Sequence, residues 1–121
     1  MTLYHDTIMD HYRNPRHFGC SKFKASASSS THNPSCGDAI KMQIYIYKGK
    51  ITRICFEGEG CALSIASASL LCEYTKGKLL REVQSFDEET VLHLLQIDVT
   101  PARTRCATIG LKALRQAIAT L

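Results

Sequence analysis

The sequence predicts an α+β fold in which helices cover one face of an antiparallel sheet. Two observations carry this prediction: strand-like segments come early in the chain, and most of the helix-like segments follow them. The 121 residues suit a single modest core, so we expect one domain spanning residues 1–121. No internal repeat and no linker-like stretch divides the chain.

The segment before the sheet begins with a short helix. Leu3 to Arg13 has helical spacing of apolar residues, and Asn14-Pro15 ends it because the residue before a proline avoids the helical region. Ser21 to Thr31 is rich in serine and poor in bulky apolar side chains. This composition predicts a weak edge strand over part of the segment and a mobile loop over the rest.

A β-hairpin follows. From Ile40 to Tyr47, apolar and polar residues alternate with the period of a half-buried strand. Lys48-Gly49-Lys50 predicts a tight turn, and Ile51 to Glu57 the returning strand.

A largely buried helix is predicted after the hairpin. No charged residue occurs between Cys61 and Cys72, and apolar side chains fall on both sides of the helical wheel. Gly77 is expected to end this helix.

Two further helices are predicted near the C-terminus. Ser85 followed three residues later by Glu88 has the pattern of a capping box, which predicts a helix through Gln96. Thr100-Pro101 predicts the start of a last helix that runs to about Ala119.

Charge and hydropathy exclude several function classes. The formal net charge is +4, and the basic residues are scattered without any nucleic-acid-binding motif, so no nucleic-acid partner is expected. No apolar run is long enough to span a membrane. The N-terminus lacks the basic and apolar regions of a secretory signal, which predicts a cytoplasmic location.

Cysteine is the most informative residue type in this chain. In a reducing cytoplasm, metal binding or sulfur chemistry is a better explanation than a disulfide framework. The six cysteines are Cys20, Cys36, Cys55, Cys61, Cys72 and Cys106.

Three of these cysteines form a candidate metal site with one carboxylate. Cys36 lies in a Pro/Gly-bounded loop, Cys61 follows a Gly-Glu-Gly turn, and Cys106 lies in the first turns of the last helix. With Asp38 they could supply three thiolates and a carboxylate to a soft or borderline metal. Their spacing matches no compact zinc motif, so buried apolar cysteines and a turn aspartate remain the alternative.

The other thiols and the histidines favour simpler roles. Cys72 and Cys55 are interpreted as packing residues, and Cys20, after Gly19, as a free surface thiol. His93 stands among leucines and is interpreted as structural, whereas His32 is the histidine best placed to approach the candidate site.

Several motifs in order resemble the U-type iron–sulfur cluster assembly scaffolds, the family of IscU, the NifU N-terminal domain and SufU. The resemblance implies a three-stranded antiparallel sheet packed against helices. The motifs are Ile8-Met9-Asp10-His11-Tyr12-Arg13-Asn14-Pro15-Arg16, Cys36-Gly37-Asp38, Gly60-Cys61-Ala62, Ser64-Ile65-Ala66-Ser67-Ala68-Ser69 and Arg105-Cys106-Ala107-Thr108.

The resemblance also implies a function. Cys36, Asp38, Cys61 and Cys106 would hold a transient [2Fe–2S] cluster built with Fe2+, or Zn2+ instead. The three cysteines would be candidate persulfide acceptors for sulfur from a cysteine desulfurase. The cluster would pass to apo iron–sulfur acceptor or carrier proteins, and the chain would act as a scaffold instead of an enzyme.

Two departures separate this chain from the IscU type. Arg105 replaces the histidine that precedes the last cysteine there, and Thr100-Pro101-Ala102-Arg103 replaces Leu-Pro-Pro-Val-Lys, which argues against recognition by that co-chaperone system. The pattern Pro-Ala-Arg-x-x-Cys-Ala-Thr resembles SufU, although residues 61–106 are short for the SufU insertion.

Three functions therefore stay open from sequence: a cluster scaffold, a zinc-dependent sulfur acceptor that activates a desulfurase, and a structural zinc domain that mediates protein contacts. Arg103 and Arg105 either stabilise a thiolate or persulfide at Cys106 or are solvated residues of the first helical turns.

Overall fold

A computed structural model describes residues 3–20, 23–34 and 37–121, and in these ranges three strands form one antiparallel sheet. The strands run in the order β1 (Ala27–Asn33), β2 (Asp38–Tyr47) and β3 (Lys50–Glu59). The turn between β2 and β3 consists of Lys48 and Gly49 at φ of 51° and 77°. Two consecutive left-handed residues are the signature of a type I′ hairpin turn, so the predicted hairpin is confirmed.

The helices pack on one face of this sheet. Helix α5 contacts β1 and β2, α2 contacts β3 and α5, and α1 packs against α2. The predicted α+β architecture is confirmed. The helices are α1 (Leu3–Arg13), α2 (Ala62–Thr75), α3 (Leu80–Gln84), α4 (Glu88–Leu95) and α5 (Pro101–Ala119).

The core lies between the sheet and the helices. Met42 pairs with Phe56 and Ile44 with Ile54, and all four side chains are buried on the helix-covered face. Burying each such side chain contributes about 1.5–3 kcal/mol before the entropy of ordering the chain is subtracted. This core holds β2 and β3 in place. Asp38 is the first residue of β2 and Cys61 follows the end of β3, so the core also positions these two candidate site residues.

A buried polar contact fixes α1 against α2. The Nδ1 atom of His11 lies 2.7 Å from the hydroxyl of Ser69, and the same hydroxyl accepts a hydrogen bond of 2.8 Å from the Arg16 backbone N–H. The small side chains of α2 allow this close approach. The contact therefore orients the helix that follows Cys61.

The predicted edge strand extends over β1. Serine-rich strands are weak alone, but the Ser29 hydroxyl donates a hydrogen bond of 2.6 Å to the Ala113 carbonyl of α5, and Thr31 is buried. Contact with α5 therefore supplies the stability that the serine-rich composition lacks. Residues 21 and 22 of the predicted loop lie outside the described residues.

The N-cap of the helix predicted from Ser85 lies two residues later in the structure, so the predicted capping box is wrong. Asp87 is the N-cap of α4: its side chain accepts from the Thr90 N–H at 3.1 Å, and the Thr90 hydroxyl accepts from the Asp87 N–H at 3.2 Å. Ser85 instead ends α3, a five-residue helix that the sequence did not predict. Helix α4 ends at Leu95, one residue earlier than expected.

The interpretations of Cys20 and Cys55 are wrong. The two residues form a disulfide, with Cα atoms 5.4 Å apart, and both are buried. Cys20 is therefore not a free surface thiol, and Cys55 is a disulfide partner in addition to being a buried residue. The packing role of Cys72 is confirmed, because it is fully buried and burial raises the pKa of its thiol far above the ordinary value.

Among the described residues, no helix has both the length and the apolar character that crossing a membrane requires.

Candidate metal and sulfur site

Three chain segments converge at one end of the sheet. Asp38 is the first residue of β2, Cys61 precedes α2 just after β3, and Cys106 lies in the second turn of α5. The start of one strand and the end of its antiparallel neighbour meet at the same edge. One ligand atom from each of the three residues lies within 4.8 Å of the other two, so small side-chain movements would place all three around one metal ion.

The fourth predicted ligand, Cys36, lies outside the described residues. It stands two residues before Asp38 in the sequence. The structure thus brings together three of the four predicted residues.

Asp38 is almost completely buried, with 1% of its surface exposed. Its Oδ1 atom accepts a hydrogen bond of 3.2 Å from the Cys61 backbone N–H. The other oxygen, Oδ2, has no hydrogen-bond partner within the described part of the chain. A buried carboxylate oxygen without a partner is costly, and a cation beside the two thiols would satisfy it. The residues therefore fit a metal ion or an iron–sulfur cluster.

Gly60 creates the space for this carboxylate. A Cβ atom at Gly60 would lie 2.5 Å from Oδ1 of Asp38 and 3.1 Å from the Cβ of Ser64. Real Cβ atoms do not approach an oxygen so closely, so any side chain here would displace the carboxylate.

The environment of Cys61 favours its thiolate. Burial by itself disfavours the charge, but hydrogen bonds from the Ser64 hydroxyl, the Ser64 and Leu63 backbone N–H groups and Arg103 outweigh it and lower the pKa of the thiol. The Ser64 oxygen lies 3.3 Å from the sulfur. The positive end of α2 acts in the same direction.

Arg103 interacts with both described thiols of the site. Its Nη2 atom donates a hydrogen bond of 3.6 Å to the Cys61 sulfur. Its pKa is raised, first by this hydrogen bond and by the charge of Cys61, and to a lesser degree by Cys106. Of the two interpretations of Arg103, a thiolate-stabilising residue or a solvated one, this hydrogen bond favours the first, with Cys61 as the thiol that Arg103 contacts. Cys106 itself is buried.

Arg105 and His32 belong to a neighbouring cleft. This cleft, of about 280 Å³ between β1 and α5, is lined by both residues together with Lys112. The ring nitrogens of His32 do not join the ligand group of Asp38, Cys61 and Cys106. The predicted structural role of His93 is wrong, because its side chain is exposed on α4 and borders an open groove.

Ser64 and Gly60 are functional candidates that sequence reasoning missed. The spacing Cys61-x-x-Ser64 at the start of a helix is the signal for the first, because residues three apart lie on the same helical face. The glycine directly before Cys61 is the signal for the second.

Comparison with known proteins agrees with this geometry. The model of the NifU-like N terminal domain family matches residues 3–121. The iron-sulfur cluster assembly scaffold protein IscU of Buchnera aphidicola subsp. Acyrthosiphon pisum is 36% identical, covering 95% of this chain and 91% of that protein. The zinc-dependent sulfurtransferase SufU of Bacillus subtilis is 34% identical, covering 98% of this chain and 90% of that protein.

Alignment with SufU extends over 135 positions, whereas this chain has 121 residues, so SufU contains residues that this chain lacks. Among solved structures, a candidate iron–sulfur cluster assembly scaffold protein for the SUF system from Fervidobacterium islandicum AW-1 superposes with a TM-score of 0.78 at 25% identity. That match covers 98% of this chain and 96% of the other. Fold, candidate site and sequence agree, and this chain belongs to the NifU-like N-terminal domain family.

Proposed function

We propose that this protein is an iron–sulfur cluster assembly scaffold, a single domain over residues 1–121 whose cargo is a [2Fe–2S] cluster. Cys36, Asp38, Cys61 and Cys106 would hold the cluster. The observation that carries the proposal is the buried Asp38 carboxylate, which has one oxygen without a partner among the described residues and lies within 4.8 Å of two thiols.

The mixed ligand set suits a site that must release its cargo. Thiolates bind iron–sulfur clusters tightly, whereas a carboxylate is a harder and weaker ligand for them. Burial of Asp38 keeps competing water away while the cluster is held. The cluster would then pass to apo iron–sulfur acceptor or carrier proteins.

Sulfur would arrive as a persulfide from a cysteine desulfurase. A thiolate of the scaffold attacks the outer sulfur of the donor persulfide, forming a new S–S bond while the donor cysteine leaves as a thiolate. Of the two described thiols of the candidate site, Cys61 is half-buried and Cys106 is only 3% exposed, so Cys61 is the more accessible acceptor. The chain supplies ligands for assembly without turning over a substrate, and we place it in the cytoplasm.

A second candidate function is that of a zinc-dependent sulfur acceptor. Two thiols and a carboxylate also suit tetrahedral Zn2+. The similarity to SufU and the segment Pro101-Ala102-Arg103-Thr104-Arg105-Cys106 favour this alternative. The protein would then hold zinc and accept sulfur without building a cluster.

Anaerobic reconstitution separates these functions. The metal-free protein is mixed with Fe2+, cysteine, a catalytic amount of a cysteine desulfurase and dithiothreitol, which reduces the persulfide sulfur to sulfide, and its visible absorption is followed. We expect sulfide-to-iron charge-transfer bands to appear, and to move from the scaffold to the acceptor fraction when an apo acceptor protein is added and the two proteins are separated. Tight zinc binding with faster desulfurase turnover and no such bands would instead identify the sulfur acceptor.

A further inference from the structure

Cys20 and Cys55 form a second sulfur pair outside the candidate metal site. They are joined by a disulfide, and both are more than nine-tenths buried. Cys55 lies in the middle of β3, several residues before the end of that strand that leads to Cys61. The proposed assembly function uses neither residue.

This disulfide fastens a connecting segment to the edge of the sheet. Residues 17–19 run beside β3: the Gly19 N–H donates a hydrogen bond of 2.8 Å to the Phe56 carbonyl, and the Phe56 N–H donates one of 2.9 Å to the His17 carbonyl. The Cys20 N–H donates to the Glu57 carboxylate at 3.3 Å. The covalent bond reinforces these few contacts between the segment after α1 and β3.

One member of the pair, Cys55, borders a surface cleft. Cys55 borders a cleft of about 280 Å³ whose lining also includes the cationic side chains of Arg53 and Lys76. Positive charge beside a cysteine favours its thiolate and attracts an incoming anionic thiol. A bond meant only to stabilise the fold has no need of such an opening.

We propose that Cys20 and Cys55 are a reversible dithiol–disulfide site whose reactants are anionic thiols such as glutathione, separate from the metal site. A disulfide that forms in the reducing compartment proposed above belongs to a class that is usually catalytic or redox-sensing. Oxidation fastens residues 17–20 to β3, and reduction releases them.

Reduction proceeds by thiol–disulfide exchange at the cleft. A glutathione thiolate attacks the sulfur of Cys55, forming a mixed disulfide, and Cys20 leaves as a thiolate that takes up a proton. A second glutathione attacks the mixed disulfide, releases Cys55 as a thiol and carries away oxidised glutathione. Two electrons pass from two glutathione molecules to the protein, and the reverse sequence restores the bond.

Differential alkylation in glutathione buffers tests the reversibility. The purified protein is equilibrated anaerobically at ratios of reduced to oxidised glutathione, quenched with acid, labelled and mapped by mass spectrometry at Cys20 and Cys55. We expect a half-oxidised pair at an intermediate ratio, approached equally from either starting state. A pair that stays fully oxidised in reduced glutathione alone, or fully reduced in oxidised glutathione alone, would overturn the proposal.

Hydrogen–deuterium exchange tests the structural consequence. We expect the Gly19 amide to exchange at least about tenfold faster in the reduced protein than in the oxidised protein, with amides of α5 unchanged. The matched control is a Cys20→Ser/Cys55→Ser double variant, whose exchange should equal that of the reduced parent under both conditions. Equal rates at Gly19 in the two parent states would contradict the release of the segment. Neither measurement involves iron or a desulfurase, so its outcome is independent of the assembly function.

Discussion

Asp38 combines two roles in one buried carboxylate. One oxygen accepts the Cys61 backbone N–H, which fixes the start of α2, and the other is buried without a hydrogen-bond partner in the described structure. The first role is structural and the second is available for a metal. Substitutions of Asp38 can separate its structural role from its role as a metal ligand.

We predict that Asp38→Ala traps the cluster and does not prevent its formation. The thiolates remain as ligands, and the weaker ligand that makes release easy is lost. The variant should also lose about 1 kcal/mol of unfolding free energy, because the half-buried Cys61 N–H loses its acceptor. The measurement is the half-life of the cluster on the scaffold after an apo acceptor is added and the two proteins are separated, and this half-life should lengthen several-fold.

Asp38→Asn is the matched control, since its amide oxygen can still accept from Cys61 while the charge is lost. It should also lengthen cluster lifetime but keep most of the stability. Release at the parent rate in both variants would show that the carboxylate does not govern release.

At the scale of elements, the junction between β3 and α2 shapes the site. This junction lets the chain pass from strand to helix within two residues, and Gly60 stands where any side chain would meet Asp38. The glycine is not needed for an unusual backbone angle, because its φ is not in the left-handed region. Space alone explains its presence.

We predict that Gly60→Ala weakens metal binding while leaving the fold intact. The added methyl group forces the Asp38 carboxylate out of its position, so zinc affinity should fall by about tenfold or more in a chelator competition assay. Lys112→Ala, on the exposed face of α5, is the surface control and should bind zinc like the parent. Parent-like affinity in Gly60→Ala would mean that the carboxylate does not contribute.

The contact between α1 and α2 makes stability depend on pH. Burial, aided by the charge of Arg16, lowers the pKa of His11 below its ordinary value of 6.5. A histidine held neutral in the folded state stabilises the fold fully above pH 6.5, and this contribution is lost as the pH falls through the lowered value. The neutral ring also fits its hydrogen bond with Ser69.

We predict that His11→Ala flattens the acid side of the stability profile. The variant should be less stable at pH 7 by about 1–3 kcal/mol, because a buried contact is removed, but it should lose less stability than the parent between pH 7 and pH 5. Urea denaturation at the two pH values measures both effects. His93→Ala, on the exposed side of α4, should follow the parent, and an unchanged pH slope in His11→Ala would refute the assignment.

Across the whole molecule, local sequence patterns predicted the helices and strands but did not predict which residues distant in sequence are in contact. Alternation in β2, the uncharged run in α2 and the proline at the start of α5 each act within a few residues, and the predicted elements are present. Helix α3 has five residues and a leucine, Leu79, at its N-cap, so the usual Ser, Thr, Asp or Asn does not mark its start, although Glu82 accepts a hydrogen bond from the Leu79 N–H. Its position follows from contacts made elsewhere.

The cysteines illustrate the same limit. The disulfide joins Cys20 and Cys55 across 35 residues, and it depends on where the segment after α1 meets β3, which no local pattern encodes. The spacing of Asp38, Cys61 and Cys106 likewise did not decide between a metal site and ordinary packing and turn residues. The resemblance to family motifs was needed to select the metal site. The role of Ser64 required the geometry itself.

The most direct test of the account is the iron and sulfide content of the reconstituted protein across a cysteine panel. The parent and Cys20→Ser/Cys55→Ser should each bind iron and acid-labile sulfide in equal amounts, because that pair lies outside the assembly site. Cys36→Ser, Cys61→Ser and Cys106→Ser should each lose most of both while remaining folded. Iron and sulfide retained by all three site variants, or lost only in the Cys20 and Cys55 variant, would contradict the central claim.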